Sequence, residues 1–200
     1  MRVVAGSVRG FNLIVPSGKN TRPTTNRIKE TLFNILQWDI AGCRFLDLFS
    51  GSGGIAIEAL SRGAKEAVMV EKDREAVRCI KQNVQHTKMD DRSRVMPMDV
   101  MQALRRLEQA GQPFDIIFMD PPYQLNAEKE MLTAIADSKI ADEDTQIIIE
   151  ATLDREFSDD ELACFDVVRV KEYKTNKHIF LQKSKRAFHV SFCIPEVPLL

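Results

Sequence analysis

Hydrophobic and polar positions follow two rhythms along the chain. From residue 43 onward, short apolar runs are separated by longer stretches in which apolar residues recur every three or four positions. The runs are Phe45–Leu48, Ala67–Glu71, Val95–Met98, Phe114–Met119, Gln146–Glu150, Phe165–Tyr173 and His178–Gln182. Helical patterns open at Gly54 and cover Asp73–Gln85, Val100–Ala110 and Ala127–Ala136. Near-continuous apolar runs predict strands buried on both faces, and their alternation with helices predicts a doubly wound α/β sheet. Only Lys174-Thr175-Asn176-Lys177 separates the last two runs, so they predict an antiparallel hairpin that closes the sheet. Ahead of this domain, Arg2–Gly6 and Gly10–Val15 read as two short strands around Ser7-Val8-Arg9. A helix over Thr24–Leu36 follows, with Ile28, Leu32, Ile35 and Leu36 on its apolar face. The expected organisation is an N-terminal hairpin and helix over residues 1–40, a main domain over 41–183 and a tail over 184–200. The tail alternates at Phe188, Val190, Phe192 and Ile194, stops at Pro195 and Pro198, and suggests no role.

Composition agrees with this picture. Two hundred residues, 44% of them hydrophobic, suffice for one domain with a full core. Cys43, Cys79, Cys164 and Cys193 have no CxxC spacing and read as reduced thiols, and the scattered His86, His178 and His189 read as surface or packing residues. No metal is expected. With neither a leader-like start nor an apolar run near eighteen residues, a cytoplasmic protein with no membrane association is expected. Charge is unevenly spread: residues 1–29 carry Arg2, Arg9, Lys19, Arg22, Arg27 and Lys29 with no acid, leaving the rest with 22 basic against 29 acidic residues. Such a cationic head suits contact with a phosphate backbone, with Arg2, Arg9, Arg27 and Lys29 as the RNA-binding candidates; the alternative is a solvated basic hairpin.

Two segments carry the chemistry. Asp120-Pro121-Pro122-Tyr123 follows a buried-strand pattern. A carboxylate there can accept a hydrogen from an exocyclic amine, the proline carbonyl offers a second acceptor, and the aromatic ring can stack on a flat base. A proline turn capped by an aspartate is the plainer reading. The second segment, Phe45-Leu46-Asp47-Leu48-Phe49-Ser50-Gly51-Ser52-Gly53-Gly54, is a strand, a glycine loop and a helix start, a nucleotide-binding arrangement. Gly51, Gly53 and Ala56 satisfy the dinucleotide pattern, which taken literally suggests NAD. Asp47 argues otherwise, because an acid beside the loop would repel a pyrophosphate and welcome a cationic ligand such as S-adenosylmethionine, with its ammonium and sulfonium. Glu71, 24 residues further on, has the spacing of a ribose ligand. Asp99 could accept from an adenine amino group or cap the helix at Val100. Asp47, Glu71, Asp99 and Asp120 should therefore share one sheet edge.

Arg22-Pro23-Thr24, Phe33-Asn34-Ile35-Leu36, Asp47-Leu48-Phe49-Ser50-Gly51-Ser52-Gly53, Glu58-Ala59-Leu60-Ser61-Arg62-Gly63-Ala64 and Asp120-Pro121-Pro122-Tyr123 together resemble the bacterial small-subunit ribosomal RNA guanine-N2 methyltransferases, the RsmD-like proteins. The likeness runs from Met1 to about Lys183. It implies a Rossmann-like class I S-adenosylmethionine-dependent fold, a mostly parallel seven-stranded sheet and a monomer acting on 16S ribosomal RNA or the assembling small subunit. The catalytic set it implies is Asp120, Pro121, Pro122 and Tyr123. The cofactor set is Arg22, Thr24, Asp47, Phe49, Ser50, Gly51, Ser52, Gly53, Glu71, Lys72, Asp99 and Val100, with Arg22 and Thr24 closing over the cofactor or gripping a phosphate. Two positions depart from the family: Asn26 replaces the usual aspartate, and Lys174 the usual glycine after a tyrosine. An amide at 26 can hydrogen-bond but cannot act as a base. The same tetrapeptide also suits N6 of adenine in RNA or DNA and a protein glutamine amide, and a non-catalytic RNA-binding module is a further reading. Specific DNA recognition would need a target-binding domain for which the chain has no room.

Overall fold

A computed structural model of the chain describes residues 1–17, 26–122 and 128–184. Five helices and seven strands follow in the order α1 (Asn26–Ile35), β1 (Arg44–Asp47), α2 (Gly54–Ser61), β2 (Glu66–Val70), α3 (Arg74–His86), β3 (Ser93–Met96), α4 (Val100–Ala110), β4 (Ile116–Met119), α5 (Glu128–Ala136), β5 (Gln146–Thr152), β6 (Phe165–Glu172) and β7 (Asn176–Lys183). The strands form one sheet in the order β3-β2-β1-β4-β5-β7-β6. The first five strands are parallel, and β7 pairs antiparallel with both β5 and β6. The order reverses between β1 and β4, and in open α/β sheets a crevice for ligands opens there at the strands' carboxyl ends.

Alternation along each strand divides the core in two. Phe45, Ala67, Met69, Ile116, Phe118, Ile148 and Phe180 face the cluster built with α1, α2 and α3. Leu46, Leu48, Val68, Val70, Ile117, Met119, Ile147, Ile149, Ile179 and Leu181 face α4 and α5. The four inner parallel strands, β1, β2, β4 and β5, are buried from both sides as their apolar runs require, whereas β3 at the edge leaves Arg94 exposed. Asp73 caps α3 by accepting from the amides of Glu75 (2.9 Å) and Ala76 (2.8 Å).

Several boundaries differ from the sequence pattern for local reasons. β3 stops at Met96 instead of running to Met98, because Pro97 has no amide to give the ladder and the Met98 amide bonds back to Met96. β5 runs past Glu150 to Thr152, drawn out by pairing with β7 down to Thr152 opposite Asn176. Asn176 and Lys177 are thus strand residues instead of turn residues. The two short strands expected near the N-terminus reduce to one antiparallel bridge, Arg2 with Asn12, plus main-chain bonds such as Val3 to Phe11 (2.9 Å).

What fastens this N-terminal segment is the main domain. Glu58 on α2 accepts from the amides of Val4 (2.8 Å) and Ala5 (2.9 Å). Asn83 on α3 accepts from the Ile14 amide (2.8 Å) and donates to the carbonyls of Ile14 (2.8 Å) and Ser52 (2.9 Å), joining the segment to the glycine loop. Gly6 has φ +85° and lies so close to α2 that a Cβ there would stand 1.9 Å from the Ser61 carbonyl oxygen, so only glycine allows this approach.

Candidate active site

The carboxyl ends of the central strands bring together residues far apart in sequence. Asp47 ends β1 opposite Phe118 of β4, and Asp120 lies two residues beyond Phe118 on the same face. Met119 pairs with Ile149, so Asp120 and Glu150 each stand one residue past that pair on adjacent parallel strands. Glu150 in turn pairs with His178 of β7. Glu71 follows β2. One face of the sheet edge therefore carries, in spatial order, Glu71, Asp47, Asp120, Glu150 and His178, and the switch point between β1 and β4 falls between Asp47 and Asp120.

Asp47 is 1% exposed, and among the described residues neither of its carboxylate oxygens has a hydrogen-bond partner. Burial pushes its carboxyl up to about 7, with the Phe49 amide opposing, the nearby Glu71 adding to the rise, and the Ser50 hydroxyl and Ala56 amide opposing more weakly from outside hydrogen-bond geometry. A buried carboxylate without a partner costs several kcal/mol at the least, so Asp47 is poised for a cationic group. Ser50 Oγ donates to the main-chain carbonyl of Asp47 (3.0 Å), and the Gly53 amide donates to that of Ser50 (2.6 Å), folding the loop back on itself. Gly53 closes this turn at φ +78° and heads α2 without a side-chain cap. A ligand with an ammonium group and polar oxygens fits this donor set; a pyrophosphate against Asp47 does not.

The remaining candidates fall into place around this loop. Both oxygens of Glu71 hold backbone, accepting from the amides of Gly51 (2.9 Å) and Asp73 (2.8 Å). Ser52 and Val100 are buried, and Phe49 is half-buried against the second core cluster. Asp99 caps α4 through the Met101 amide (2.9 Å), and its other oxygen lies 4.0 Å from the exposed Lys72 amine. Asp120 is half-buried, Pro121 buried and Pro122 exposed. The Asp120 carboxyl is held well above the usual range, first by burial and then by the charges of Glu150 and Asp47. Arg22, Thr24 and Tyr123 lie outside the described residues.

One sequence-based candidate is corrected. Lys29 was expected to meet RNA, yet it is fully buried, 3.0 Å from Glu58 Oε2, and donates to the Arg2 carbonyl (2.7 Å). Glu58 also takes Arg62 Nε at 2.9 Å, and the Arg62 guanidinium lies 5.1 Å over the Phe33 ring. Lys29 is a structural counter-ion. Arg2, Arg9 and Arg27 are exposed, as a phosphate contact requires.

The sequence pattern missed a buried network next to Asp120. Glu150 Oε2 lies 3.2 Å from His178 Nε2, Glu150 Oε1 accepts from Asn176 Nδ2 (2.5 Å), and His178 Nδ1 is 2.9 Å from the Tyr173 hydroxyl. His178 is fully buried and edge-on to Phe118, with ring centroids 6.0 Å apart. An acid closing an otherwise apolar run was the available signal at Glu150; His178 gave none, because its partner lies on another strand.

The family model described as Conserved hypothetical protein 95 matches residues 1–182. A Bacillus subtilis protein named putative rRNA methyltransferase YlbH is 39% identical over 150 residues, 75% of this chain and 82% of its own. The Ribosomal RNA small subunit methyltransferase D of Escherichia coli K12 is 34% identical over 154 residues, 77% of this chain and 76% of its own. The solved structure of the putative methyltransferase yhhF from Escherichia coli superposes with a TM-score of 0.78 at 30% identity, covering 92% of this chain and 98% of that one. With the sheet order, the glycine loop and the paired strand-end acids all in place, the chain belongs to the Conserved hypothetical protein 95 family, the RsmD-like methyltransferases.

Proposed function

We propose that this enzyme methylates the exocyclic N2 of a guanine in 16S ribosomal RNA, using S-adenosylmethionine. The observation that carries the reading is the placement of two acids on one face at the sheet's switch point: Asp47, buried and without a hydrogen-bond partner among the described residues, and Asp120, half-buried at the head of a Pro-Pro segment. Bound S-adenosylmethionine supplies an electrophilic methyl group on a positively charged sulfur. Asp47 holds its ammonium, the Gly51–Gly53 loop lets the backbone approach it, Glu71 at the loop's edge holds the ribose, and Asp99 meets the adenine with its oxygen outside the helix cap.

The guanine amine is a poor nucleophile because its lone pair is delocalised into the ring. Asp120 and the Pro121 carbonyl accept its two hydrogens and favour a tetrahedral nitrogen with the lone pair turned toward the methyl carbon. Positioning and electrostatics therefore supply the catalysis. Tyr123 stacks on the base, worth about 1–3 kcal/mol in single-strand recognition. Arg22 and Thr24 close the site, and Arg2, Arg9 and Arg27 grip phosphate. Residues 1–40 thus act as an RNA and cofactor lid on the domain at 41–183. The enzyme works as a monomer in the cytoplasm, on the RNA or the assembling small subunit.

The test is methyl transfer from radiolabelled S-adenosylmethionine to small-subunit RNA and to small subunits from cells lacking the enzyme, followed by nucleoside analysis. Label in N2-methylguanosine is expected. Label in N6-methyladenosine or in protein would keep the chemistry and discard the guanine, and comparison of the two acceptors identifies the assembly stage.

A further inference from the structure

The buried network on β5 and β7 has no part in holding either substrate, yet it faces the reacting group. Asp120 and Glu150 project from the same register level of adjacent parallel strands onto the same face, so two carboxylates crowd one end of the crevice. Glu150 is 6% exposed. Burying a second acid beside a catalytic one raises the cost of charge on both unless one is specifically held. Here Glu150 is the one held. His178 Nε2 and Asn176 Nδ2 reach its two oxygens at 3.2 and 2.5 Å. Tyr173 continues the chain to His178 Nδ1 at 2.9 Å. Burial, and then the Glu150 charge, push the Tyr173 hydroxyl up to about 12, so it remains a proton donor. Assigning Tyr173 as the donor to Nδ1 places the imidazole proton on Nε2, pointing at Glu150.

Resting on the guanine-methylation reading, we propose that Glu150, fastened by His178 and Asn176, is a positioning residue whose negative charge enables Asp120 to take the proton that the amine must lose. The balance is as follows. A C–N bond forms as the C–S bond breaks, sulfur keeps the electron pair and loses its positive charge, and the nitrogen becomes transiently cationic. One N–H proton then passes to the Asp120 carboxylate, leaving a neutral secondary amine and a neutral Asp120, whose proton goes to solvent after product release. Before transfer, the cationic ligand offsets the acids and favours ionised Asp120. After transfer that positive charge is gone, while Glu150 and Asp47 remain beside Asp120 and draw the proton onto it. The groups facing Asp120 are thus Asp47 from β1, Glu150 from β5 and, behind Glu150, His178 from β7, and among the described residues Glu150 is the acid whose two oxygens are both held by side-chain donors.

The decisive experiment needs no cofactor. In ligand-free protein with 13C-labelled aspartate carboxyls, the Asp120 resonance, assigned with Asp120→Asn, should titrate above the ordinary aspartate range in wild type and fall by about one unit or more in Glu150→Gln. The pH profile of single-turnover methyl transfer should follow. The acid limb moves to lower pH by a similar amount, the plateau falls about tenfold because Asp120 is a weaker base, and the apparent affinities stay within a few-fold. Ordinary titration of Asp120 in wild type overturns the proposal without any variant, so a Glu150→Gln protein that fails to fold does not shelter it. An unmoved Asp120 midpoint in a folded Glu150→Gln protein also overturns it. A wild-type enzyme that makes no N2-methylguanosine overturns the functional reading instead, whatever Asp120 does.

Discussion

Glu58 and Asp47 are carboxylates buried almost completely within one domain, at 0% and 1% exposure, yet their surroundings are opposite. Glu58 is surrounded by donors: the Lys29 amine, the Arg62 guanidinium and two main-chain amides. Asp47 has no donor at hydrogen-bond geometry among the described residues, only the Phe49 and Ala56 amides and the Ser50 hydroxyl nearby. The difference separates two uses of a buried charge. A fully paired acid ties distant segments together, here the N-terminal segment, α1 and α2. An unpaired acid stores an electrostatic demand that a ligand can meet. Asp120 and Glu150 repeat the contrast at shorter range, one open to the crevice and the other held by His178 and Asn176.

The largest effect expected is at the open end of this comparison. Asp120→Ala should lower turnover by about 10²–10⁴-fold while cofactor affinity changes only a few-fold, because both an acceptor and a base are lost. Isothermal titration beside a single-turnover assay checks this, and a fully active variant would remove the proposed site. At the paired end, Lys29→Met should destabilise the protein by about 1.5–3 kcal/mol, since it removes one of the two cations on buried Glu58 while Arg62 and two amides remain. Urea unfolding decides: a loss under about 1 kcal/mol would mean that Lys29 acts like an exposed pair.

Asp47→Asn should do the reverse to the ligand-free protein. An acid whose folded pKa lies above its unfolded value stabilises the fold only while protonated, so wild-type stability should fall as pH rises from the ordinary aspartate range to about 7. The variant should therefore be more stable than wild type by about 2–4 kcal/mol above that pH, with the gap closing near pH 4, and should bind cofactor more weakly. Equal stability at pH 8 would show that Asp47 has a partner in solution. The smallest effect concerns the basic head. Reversing Arg2, Arg9 and Arg27 should weaken RNA binding and flatten its salt dependence by about 0.7 per lost phosphate contact on single-stranded RNA. Lys29→Met should leave that slope unchanged, and a change there would restore Lys29 to the RNA face.

Much of this was legible in one dimension. The apolar runs and their spacing determined the strands and their alternation with helices, because burial on both sheet faces leaves the inner parallel strands almost wholly apolar. The glycine loop and the Asp-Pro-Pro-Tyr motif were legible because a tight turn and a fixed backbone demand particular residue types at consecutive positions. Asp99 could be read as a cap for the same local reason, whereas Asp73, read as the first helical residue, is shown to be a cap by the structure. The cationic head was visible as charge, but which charges face solvent was not. Lys29 differs from Arg27 only by its place on α1, and its partner lies 29 residues away on another helix. Likewise nothing local distinguishes His178 from the exposed His86. The tertiary structure alone decided that β7 inserts between β5 and β6 and brings a histidine to Glu150. Hydrophobic periodicity records which side of an element is buried, a property of neighbours in sequence. The state of a buried charge depends on which other charge shares its pocket, and that is set only when the sheet closes.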